Sequence, residues 1–251
     1  MGKVCAVVSV KGGTGKTTTA VNTSIALANE GFKVLLMDAN LEGSNVAFHL
    51  GISTRSIATI HDVVRKECKP RDAIYTHPSG LHLMLGGAYL EDAELRDVDL
   101  SKLIRDVKPL FDYVVVDCSS GLSLSVKSVI KSSDEVIIVT NPELPAVVDA
   151  FKVVQFCEKN SVFIRGVVIN KASKHSDLSR EDVSAILGRD IISVVPQDEH
   201  VVRSMRERTP IVNYKPRRRS ARGFRNVAYS ISGFHKLNPS FWERIISKFH
   251  P

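Results

Sequence analysis

A stretch near the start of the chain has residues whose types and spacing could bind phosphate. It reads VSVKGGTGKTT, in which glycines let backbone N–H groups face an anion and the next helix adds its positive N-terminal end. In the phosphate-loop pattern G-x-x-x-x-G-K-[ST], Lys16 is expected to reach the β and γ phosphates and Thr17 to bind Mg²⁺. Thr18 can touch the α phosphate. The first glycine of the pattern is replaced by Val10, and an additional lysine, Lys11, follows it.

Polar residues end three of the apolar runs that follow. Asp38 ends VLLMD, Asp117 ends YVVVD and Asn170 ends IRGVVIN. Ligands of open parallel sheets collect at the carboxyl ends of the strands, so these side chains are expected to lie near the phosphate loop. An aspartate at a strand end is also a common helix cap. Behind a phosphate loop, however, two such acids favour a Mg²⁺ site made by Asp38, Asp117 and Thr17.

Apolar, β-branched runs recur along the chain and predict its fold. They are VCAVVSV, VLLMD, YVVVD, EVIIVT, IRGVVIN and IISVVP, each separated from the next by a stretch that can hold a helix. Apolar residues on both faces are typical of parallel strands covered by helices. We therefore predict an α/β fold, a single doubly wound, mostly parallel sheet with helices on both faces. Helices are predicted over 17–30, 91–108, 145–159, 179–187, 199–207 and 221–234.

Length and composition limit the class of protein. The 251 residues suffice for one sizeable core, and 34 Lys and Arg against 27 Asp and Glu give a net charge of +7, which favours anionic partners. The four cysteines are widely spaced and show no metal-site pattern. The first residues lack the features of a signal peptide, and no apolar run is long enough to span a bilayer. We expect a cytoplasmic protein.

The lysine-rich loop resembles the deviant Walker A motif K-G-G-x-G-K-[ST] of the MinD/ParA ATPases, which are P-loop NTPases. In that family two subunits dimerise face to face around two ATP molecules, and the additional lysine reaches the phosphates of the partner's nucleotide. The resemblance implies ATP and Mg²⁺ as cofactors, a homodimer with ATP, and catalytic roles for Lys11 and Lys16. The implied nucleotide contacts in the loop are Gly12, Gly13, Thr14, Gly15, Lys16, Thr17 and Thr18.

The resemblance extends through most of the chain. LLMDANLEGSNVAFHLG is similar to switch I, and VVVDCSSGL is similar to the Walker B and switch II segment. TNPELPAVVDA is similar to a segment of MinD-type members. On the adenine side, the resemblance implies a hydrogen bond from Asn170, with Pro196 and Asp198 lining the pocket.

One position departs from the family pattern. MinD and ParA proteins usually carry D-x-D in switch I, and the second aspartate helps to position the attacking water. Here the sequence reads Asp38-Ala39-Asn40. An amide can orient water but cannot supply a carboxylate's charge, so slow ATP hydrolysis is expected, with a longer-lived ATP-bound dimer.

The C-terminal residues NPSFWERIISKFHP predict a separate tail over 238–251, after an ATPase domain over 1–237. Ser240 and Glu243 form a capping-box pattern, and the tail resembles the membrane-binding helix that ends MinD proteins. An apolar face beside cations suits the surface of an anionic bilayer, here the inner face of the cell membrane; packing of the tail on the protein's own core is the alternative. The apolar face consists of Phe241, Trp242, Ile245, Ile246 and Phe249.

Two functions therefore compete. The first is a MinD-like switch that attaches to the membrane with ATP and positions an unidentified regulatory or cargo protein, at the division site or a surface apparatus. The alternative is a ParA-like partitioning ATPase that binds DNA through Arg217, Arg218 and Arg219, although these arginines could equally be a solvated loop. Metal-cluster ATPases of the same scaffold need paired cysteines, which are missing here.

Overall fold

The computed structural model describes residues 2–41, 43–55, 57–87 and 98–233. Within these ranges, eight strands form one sheet in the order β3-β4-β2-β5-β1-β6-β7-β8. All neighbouring strands are parallel except β3 and β4. The strands are β1 (Lys3–Ser9), β2 (Val34–Ala39), β3 (Tyr75–Thr76), β4 (His82–Met84), β5 (Tyr113–Ser120), β6 (Glu135–Thr140), β7 (Ile164–Ala172) and β8 (Ile191–Pro196).

Helices connect these strands. Two short 3-10 turns, Pro70–Ala73 and Lys108–Leu110, accompany the α-helices. The α-helices of the described ranges are α1 (Lys16–Asn29), α2 (Val46–Leu50), α3 (Ile60–Val64), α4 (Ser101–Val107), α5 (Leu124–Ser132), α6 (Leu144–Lys159), α7 (Arg180–Leu187), α8 (Glu199–Arg206), α9 (Ile211–Tyr214) and α10 (Arg219–Ser232).

The sheet separates two apolar cores because successive side chains of a strand point to opposite faces. In β1, Val4, Ala6 and Val8 enter the core under α3 to α7. Cys5 and Val7 enter the opposite core, under α1, α2, α9 and α10. Strands that are buried on both faces explain why the apolar runs of the sequence are continuous.

The predicted fold class is confirmed, and all six predicted strands are present. The predicted helices at 17–30, 145–159, 179–187, 199–207 and 221–234 correspond to α1, α6, α7, α8 and α10. The second half of the helix predicted over 91–108 corresponds to α4, whereas its first half falls in residues 88–97, which lie outside the described ranges. The predicted tail at 238–251 also lies outside the described ranges. The sequence missed α2, α3, α5, α9, β3 and β4; most of these have five residues or fewer, too few to show a periodic pattern.

The sheet order brings the predicted site residues to one edge. The strand β1 lies between β5 and β6, and its carboxyl end continues directly into the phosphate loop and α1. The register of β2 on β5 places Asp38 beside Asp117. Because the strands are parallel, their carboxyl ends meet at the edge where α1 begins.

Candidate nucleotide-binding site

A cavity of about 600 Å³ opens at this edge of the sheet. The residues of its wall that the sequence predicted are Gly13, Thr14, Gly15, Lys16, Thr17, Thr18, Asn40, Asn170, Pro196 and Asp198. Others were not predicted, namely Ser9, Asn45, Phe48, His49, Ser120, Lys171, Gln197, Val201, Val202 and Met205. Four of the residues predicted to contact the nucleotide or the metal are not part of the wall: Lys11, Gly12, and the buried Asp38 and Asp117.

Polar side chains of the cavity wall bind two carbonyl groups of the phosphate loop. The Asn170 Nδ2 donates to the Thr14 carbonyl at 2.7 Å, and the Lys171 Nζ donates to the Gly13 carbonyl at 2.6 Å. In a trans peptide unit the C=O and N–H groups point in opposite directions, so the amides of Thr14 and Gly15 point away from these donors. The two bonds therefore fix the orientation of two peptide units of the loop, and N–H groups of such loops are the groups that bind an anion.

Gly15 caps α1 in the left-handed region, with φ of 90°. A side chain at this position would also collide with a neighbour, because an added Cβ atom would lie 2.0 Å from the Asn170 Nδ2. Gly13 has a φ of 75°, but apart from its chain neighbours no atom of the described residues lies within 4 Å of its would-be Cβ. The close approach of Asn170 therefore requires glycine at position 15 for a second reason besides backbone conformation.

Two carboxylates lie buried behind the loop. Lys16 Nζ is 3.3 Å from Asp117 Oδ1, and both side chains are almost fully buried. Burial raises the pKa of Asp117, and the Lys16 charge opposes this shift. Burial, followed by the charge of Asp117, raises the pKa of Asp38 to about 7, although hydrogen bonds from Ser44 and the Val46 and Asn40 amides oppose the rise. Two adjacent carboxyl groups of this kind are an environment that a cation stabilises.

These residues fit a magnesium ion held jointly by protein and phosphate. Asp117 Oδ2 and Thr14 Oγ1 are buried and have no hydrogen-bond partner among the residues that the structure describes. In the described part of the chain, no group of three or more His, Cys, Asp or Glu side chains could hold a metal ion. Mg²⁺ commonly uses one or two carboxylates and completes its shell with water and phosphate oxygens, so Asp38, Asp117 and Thr17 suit it.

Lys11 stands outside the cavity, at the surface. Its Nζ is 2.8 Å from Glu143 Oε2, and both side chains are partly exposed. The hydrogen bond from Lys11 holds the pKa of Glu143 below its usual range. Glu143 immediately precedes α6, so this ion pair connects the phosphate loop to the start of that helix. The two lysines of the motif therefore have separate positions, with Lys16 in the cavity and Lys11 beside it.

Asn40 lies in a tight turn after β2. Its backbone N–H donates to Asp38 Oδ1 at 3.1 Å, and its side-chain Nδ2 donates to the Gly43 carbonyl at 2.7 Å. The Ser44 hydroxyl donates to Asp38 Oδ2 at 2.6 Å and fastens the turn to the same carboxylate. Asn40 is therefore held at the cavity wall by the residue that would contact the metal.

The far side of the cavity is more apolar. Phe48 from α2 and Val201, Val202 and Met205 from α8 lie there, beside the predicted Pro196 and Asp198. The Asp198 carboxylate accepts two bonds of 3.0 Å from Arg218 and one from Ser220. Burial raises the pKa of Asp198, but the hydrogen bonds from Arg218, Ser220 and the His200 amide outweigh burial and hold the pKa well below its usual range. The Asp198 side chain therefore anchors the start of α10, a role that sequence reasoning missed.

Comparison with known proteins agrees with this geometry. The family model of the AAA domain matches residues 2–161. The septum site-determining protein MinD of Thermotoga maritima is 31% identical over 242 residues, which cover 93% of this chain and 89% of that protein. The chain belongs to the MinD/ParA family.

Solved structures of MinD proteins share this fold closely. The septum site-determining protein MinD of Pyrococcus horikoshii OT3, complexed with Mg-ADP, has a TM-score of 0.87 and 32% identity, and the alignment covers 94% of this chain and 97% of that one. MinD in the MinC:MinD cell division protein complex of Aquifex aeolicus has a TM-score of 0.80 and 28% identity, with 92% of this chain covered and 96% of that one. The predicted MinD/ParA resemblance is thus confirmed.

A second family model, described as 4Fe-4S iron sulfur cluster binding proteins of the NifH/frxC family, matches residues 104–240. The two cysteines of that range, Cys118 and Cys157, are buried in the core under α3 to α7. Burial raises the pKa of Cys118 to about 12 and that of Cys157 to about 11, so both thiols are protonated packing residues. We regard this match as one to the shared fold.

Proposed function

We propose that this protein is a MinD-type switch, which binds ATP with Mg²⁺, dimerises around two nucleotides and in that state attaches to the membrane to position a partner protein. Its family membership makes it an ATPase. A relative that carries Mg-ADP and another in complex with MinC support the cofactors and a protein partner. In the described residues, no helix combines the length and the apolar character needed to cross a membrane.

The position of Lys11 carries the dimer proposal. Lys16 already provides a cation inside the cavity, whereas Lys11 is at the surface, where its ion-pair partner among the described residues is the partly exposed Glu143. An exposed ion pair contributes little to stability, so it restrains Lys11 weakly. A triphosphate presented by a second copy would offer Lys11 a stronger, charge-assisted bond. The geometry therefore supports a cation that serves the partner's nucleotide.

The first test separates nucleotide binding from dimerisation. Light scattering of the wild-type protein with Mg²⁺ and a non-hydrolysable ATP analogue should show a dimer. We expect Lys11→Ala to remain monomeric while its affinity for the analogue in the monomer changes by less than about threefold, because Lys11 lies outside the cavity. Lys102→Ala is the matched control, since Lys102 is an exposed lysine paired with Asp106 at 2.7 Å. A dimeric Lys11→Ala protein would contradict the proposal.

Different residues of the candidate site have different roles in the proposed ATP hydrolysis. Mg²⁺, when bound, supplies positive charge that stabilises the triphosphate. Thr17, Asp38 and Asp117 would hold it, while Lys16 and the loop amides bind the phosphate oxygens. Asn40 is a polar side chain of the wall, next to Asp38, that can accept a hydrogen bond from the attacking water. Because Asn40 lacks a carboxylate's charge, it can orient the water but withdraws a proton poorly, and we propose that turnover is slow.

Asn40→Asp should raise the steady-state rate of phosphate release by roughly 3- to 10-fold, because a carboxylate can act as a base toward that water. The same substitution should shorten the lifetime of the ATP-bound dimer. Asn45→Asp is the matched control, because Asn45 lies on the same cavity wall and receives the same charge at another point. A rate that is unchanged in Asn40→Asp, or that rises equally in both variants, would exclude this role for Asn40.

Membrane attachment rests on the tail at 238–251, which lies outside the described residues. A helix of about ten residues is marginal in water and folds on contact with a surface. Two tails in a dimer bind more tightly than one, by about 100-fold or more, because the second tail binds from a high effective concentration. Nucleotide-dependent dimerisation would then control attachment.

Sedimentation with anionic liposomes tests the tail. We expect ATP-dependent pelleting of the wild-type protein and its loss in Ile246→Glu, which places a charge on the apolar face. Ser247→Glu is the matched control, since at helical spacing Ser247 falls opposite that face and the same charge should have a much smaller effect. Pelleting that survives deletion of residues 239–251 would rule out the tail as the anchor.

DNA partitioning remains the second candidate because three consecutive arginines are exposed where α10 begins. Of these, Arg218 is engaged by Asp198, which leaves Arg217 and Arg219 for phosphate contacts. Retardation of DNA that weakens steeply with salt and disappears when Arg217 and Arg219 are replaced by alanine would favour this function.

A further inference from the structure

We infer that His61 is a positioning residue for ATP hydrolysis, which holds the turn carrying Asn40 through the Leu41 carbonyl. The inference rests on the proposed ATPase function and on the role of Asn40 at the cavity wall. His61 lies on α3, belongs to no phosphate-binding motif and does not line the cavity. Its ring nevertheless reaches the backbone next to Asn40.

Two hydrogen bonds determine which nitrogen of the His61 ring carries the hydrogen. The Gly87 N–H lies 2.7 Å from Nδ1, and the Leu41 carbonyl lies 3.0 Å from Nε2. An N–H group can only donate, so Nδ1 must accept and the ring hydrogen resides on Nε2. The Nε2–H then donates to the Leu41 carbonyl. The fully buried ring thus connects the chain after β4 to the chain after β2.

The contact at Leu41 limits the movement of Asn40 from one side. The Leu41 side chain is buried in the core under α3 to α7, together with Ile60. On the other side, the Asn40 N–H is bound to Asp38. Asn40 is consequently held between two fixed neighbours, and the His61 bond adds the restraint on the Leu41 backbone.

The residues after β4 pack against the turn that carries Asn40. An added Cβ atom on Gly86 would lie 3.0 Å from the Ser44 Cβ and 3.5 Å from the Asn40 carbonyl oxygen. The turn therefore packs directly on the Gly86 backbone, and His61 joins the next residue, Gly87, to Leu41. Movement of the His61 ring would therefore weaken the packing of this turn on the Gly86 and Gly87 backbone.

A purely structural histidine is the competing explanation. The start of α3 is already secured by a capping box between Thr59 and Asp62, which does not involve the His61 ring. If His61 only stabilises the fold, loss of either of its hydrogen bonds should have the same consequence. If it positions Asn40, the bond to Leu41 should matter for catalysis and the bond to Gly87 much less.

Two substitutions separate the bonds. In His61→Asn the amide oxygen can replace Nδ1 and accept from Gly87, but the bond to Leu41 is lost. In His61→Gln the longer amide can donate to Leu41, but the acceptor for Gly87 is lost. Each variant loses one buried hydrogen bond, so thermal unfolding should report similar destabilisation.

We expect His61→Asn to lower kcat for ATP about tenfold or more, because misplacement of a catalytic group by a fraction of an ångström is costly, while KM changes less than about twofold. His61→Gln should rescue most of the rate. In an Asn40→Ala background, His61→Asn should have little further effect on kcat, since the group it positions is absent. Equal rates in the Asn and Gln variants, or full additivity with Asn40→Ala, would overturn the inference.

Two further measurements keep the inference testable if His61→Asn does not fold or turnover is too slow. Met has nearly the length of Gln but no donor, so His61→Met should reproduce the loss seen in the Asn variant. Hydrogen exchange of the amides from Asn40 to Val46 needs no turnover and should be faster in the Met variant than in the Gln variant. Equal exchange contradicts the inference, whereas absent phosphate release in an otherwise binding-competent wild type contradicts the ATPase function.

Discussion

Replacing Lys16 with Met is expected to lower the affinity for Mg·ATP by about 100-fold or more. A charge-assisted hydrogen bond contributes roughly 1.5–3 kcal/mol, and Lys16 is the buried cation on the cavity wall that can make such bonds with the triphosphate. Isothermal titration calorimetry with a non-hydrolysable analogue measures this loss. Lys102→Met, at an exposed lysine far from the motif in sequence, should bind like the wild type.

The same substitution should change the dependence of stability on pH. Without Lys16, the buried Asp117 loses the nearby charge that lowers its pKa, so the pKa rises further above that of the unfolded chain. A folded state with a raised carboxyl pKa binds a proton that the unfolded state releases, so the free energy of unfolding falls as pH increases above about 4. The destabilisation of Lys16→Met should therefore be larger at pH 8, at about 3 kcal/mol, than at pH 5.

Urea unfolding of the nucleotide-free protein at the two pH values tests this expectation. A loss of affinity without a pH-dependent loss of stability would show that Lys16 does not compensate the Asp117 charge. If Lys16→Met retained the wild-type affinity, the cavity would not be the Mg·ATP site that we propose.

Gly15→Ala is expected to destabilise the protein by about 2–4 kcal/mol and to weaken nucleotide binding at least about tenfold. The left-handed backbone alone costs an alanine roughly 1–2 kcal/mol. In addition, the new Cβ atom would lie 2.0 Å from the Asn170 Nδ2, so Asn170 must move and give up its bond to the Thr14 carbonyl. That bond helps to orient the amides of the phosphate loop.

Gly13→Ala is the matched control for backbone strain. Its φ of 75° is also left-handed, but its would-be Cβ has open space, so only the conformational cost of about 1–2 kcal/mol applies. Denaturant unfolding should therefore rank Gly15→Ala below Gly13→Ala in stability. Equal losses at the two positions would argue against a steric role for Asn170.

A double-mutant cycle isolates the collision. Asn170→Ala removes the clashing amide, so the double variant with Gly15→Ala should be less destabilised than the sum of the two single variants. Calorimetry on the same proteins shows whether relief of the collision also restores part of the affinity. Additive single effects would indicate that Asn170 does not limit the space at position 15.

The sequence was sufficient to predict the phosphate loop, the six long strands and the parallel sheet. These features have local signals: glycine spacing next to lysine, and continuous apolar runs that require burial on both faces. The same reasoning placed Asp38, Asp117 and Asn170 at one edge, because the carboxyl ends of parallel strands meet. The family resemblance, also carried by local motifs, was confirmed by the comparisons.

Only the tertiary structure decided which side chains line the cavity and which hold the backbone around it. Asn170 holds the Thr14 carbonyl, Asp198 binds Arg218, and His61 reaches Leu41. The partners in each of these pairs are separated along the chain and come into contact because different strands and helices pack together. Hydrogen bonds of this kind leave no periodicity or spacing in the sequence, since they depend on distances that exist only after the sheet has formed.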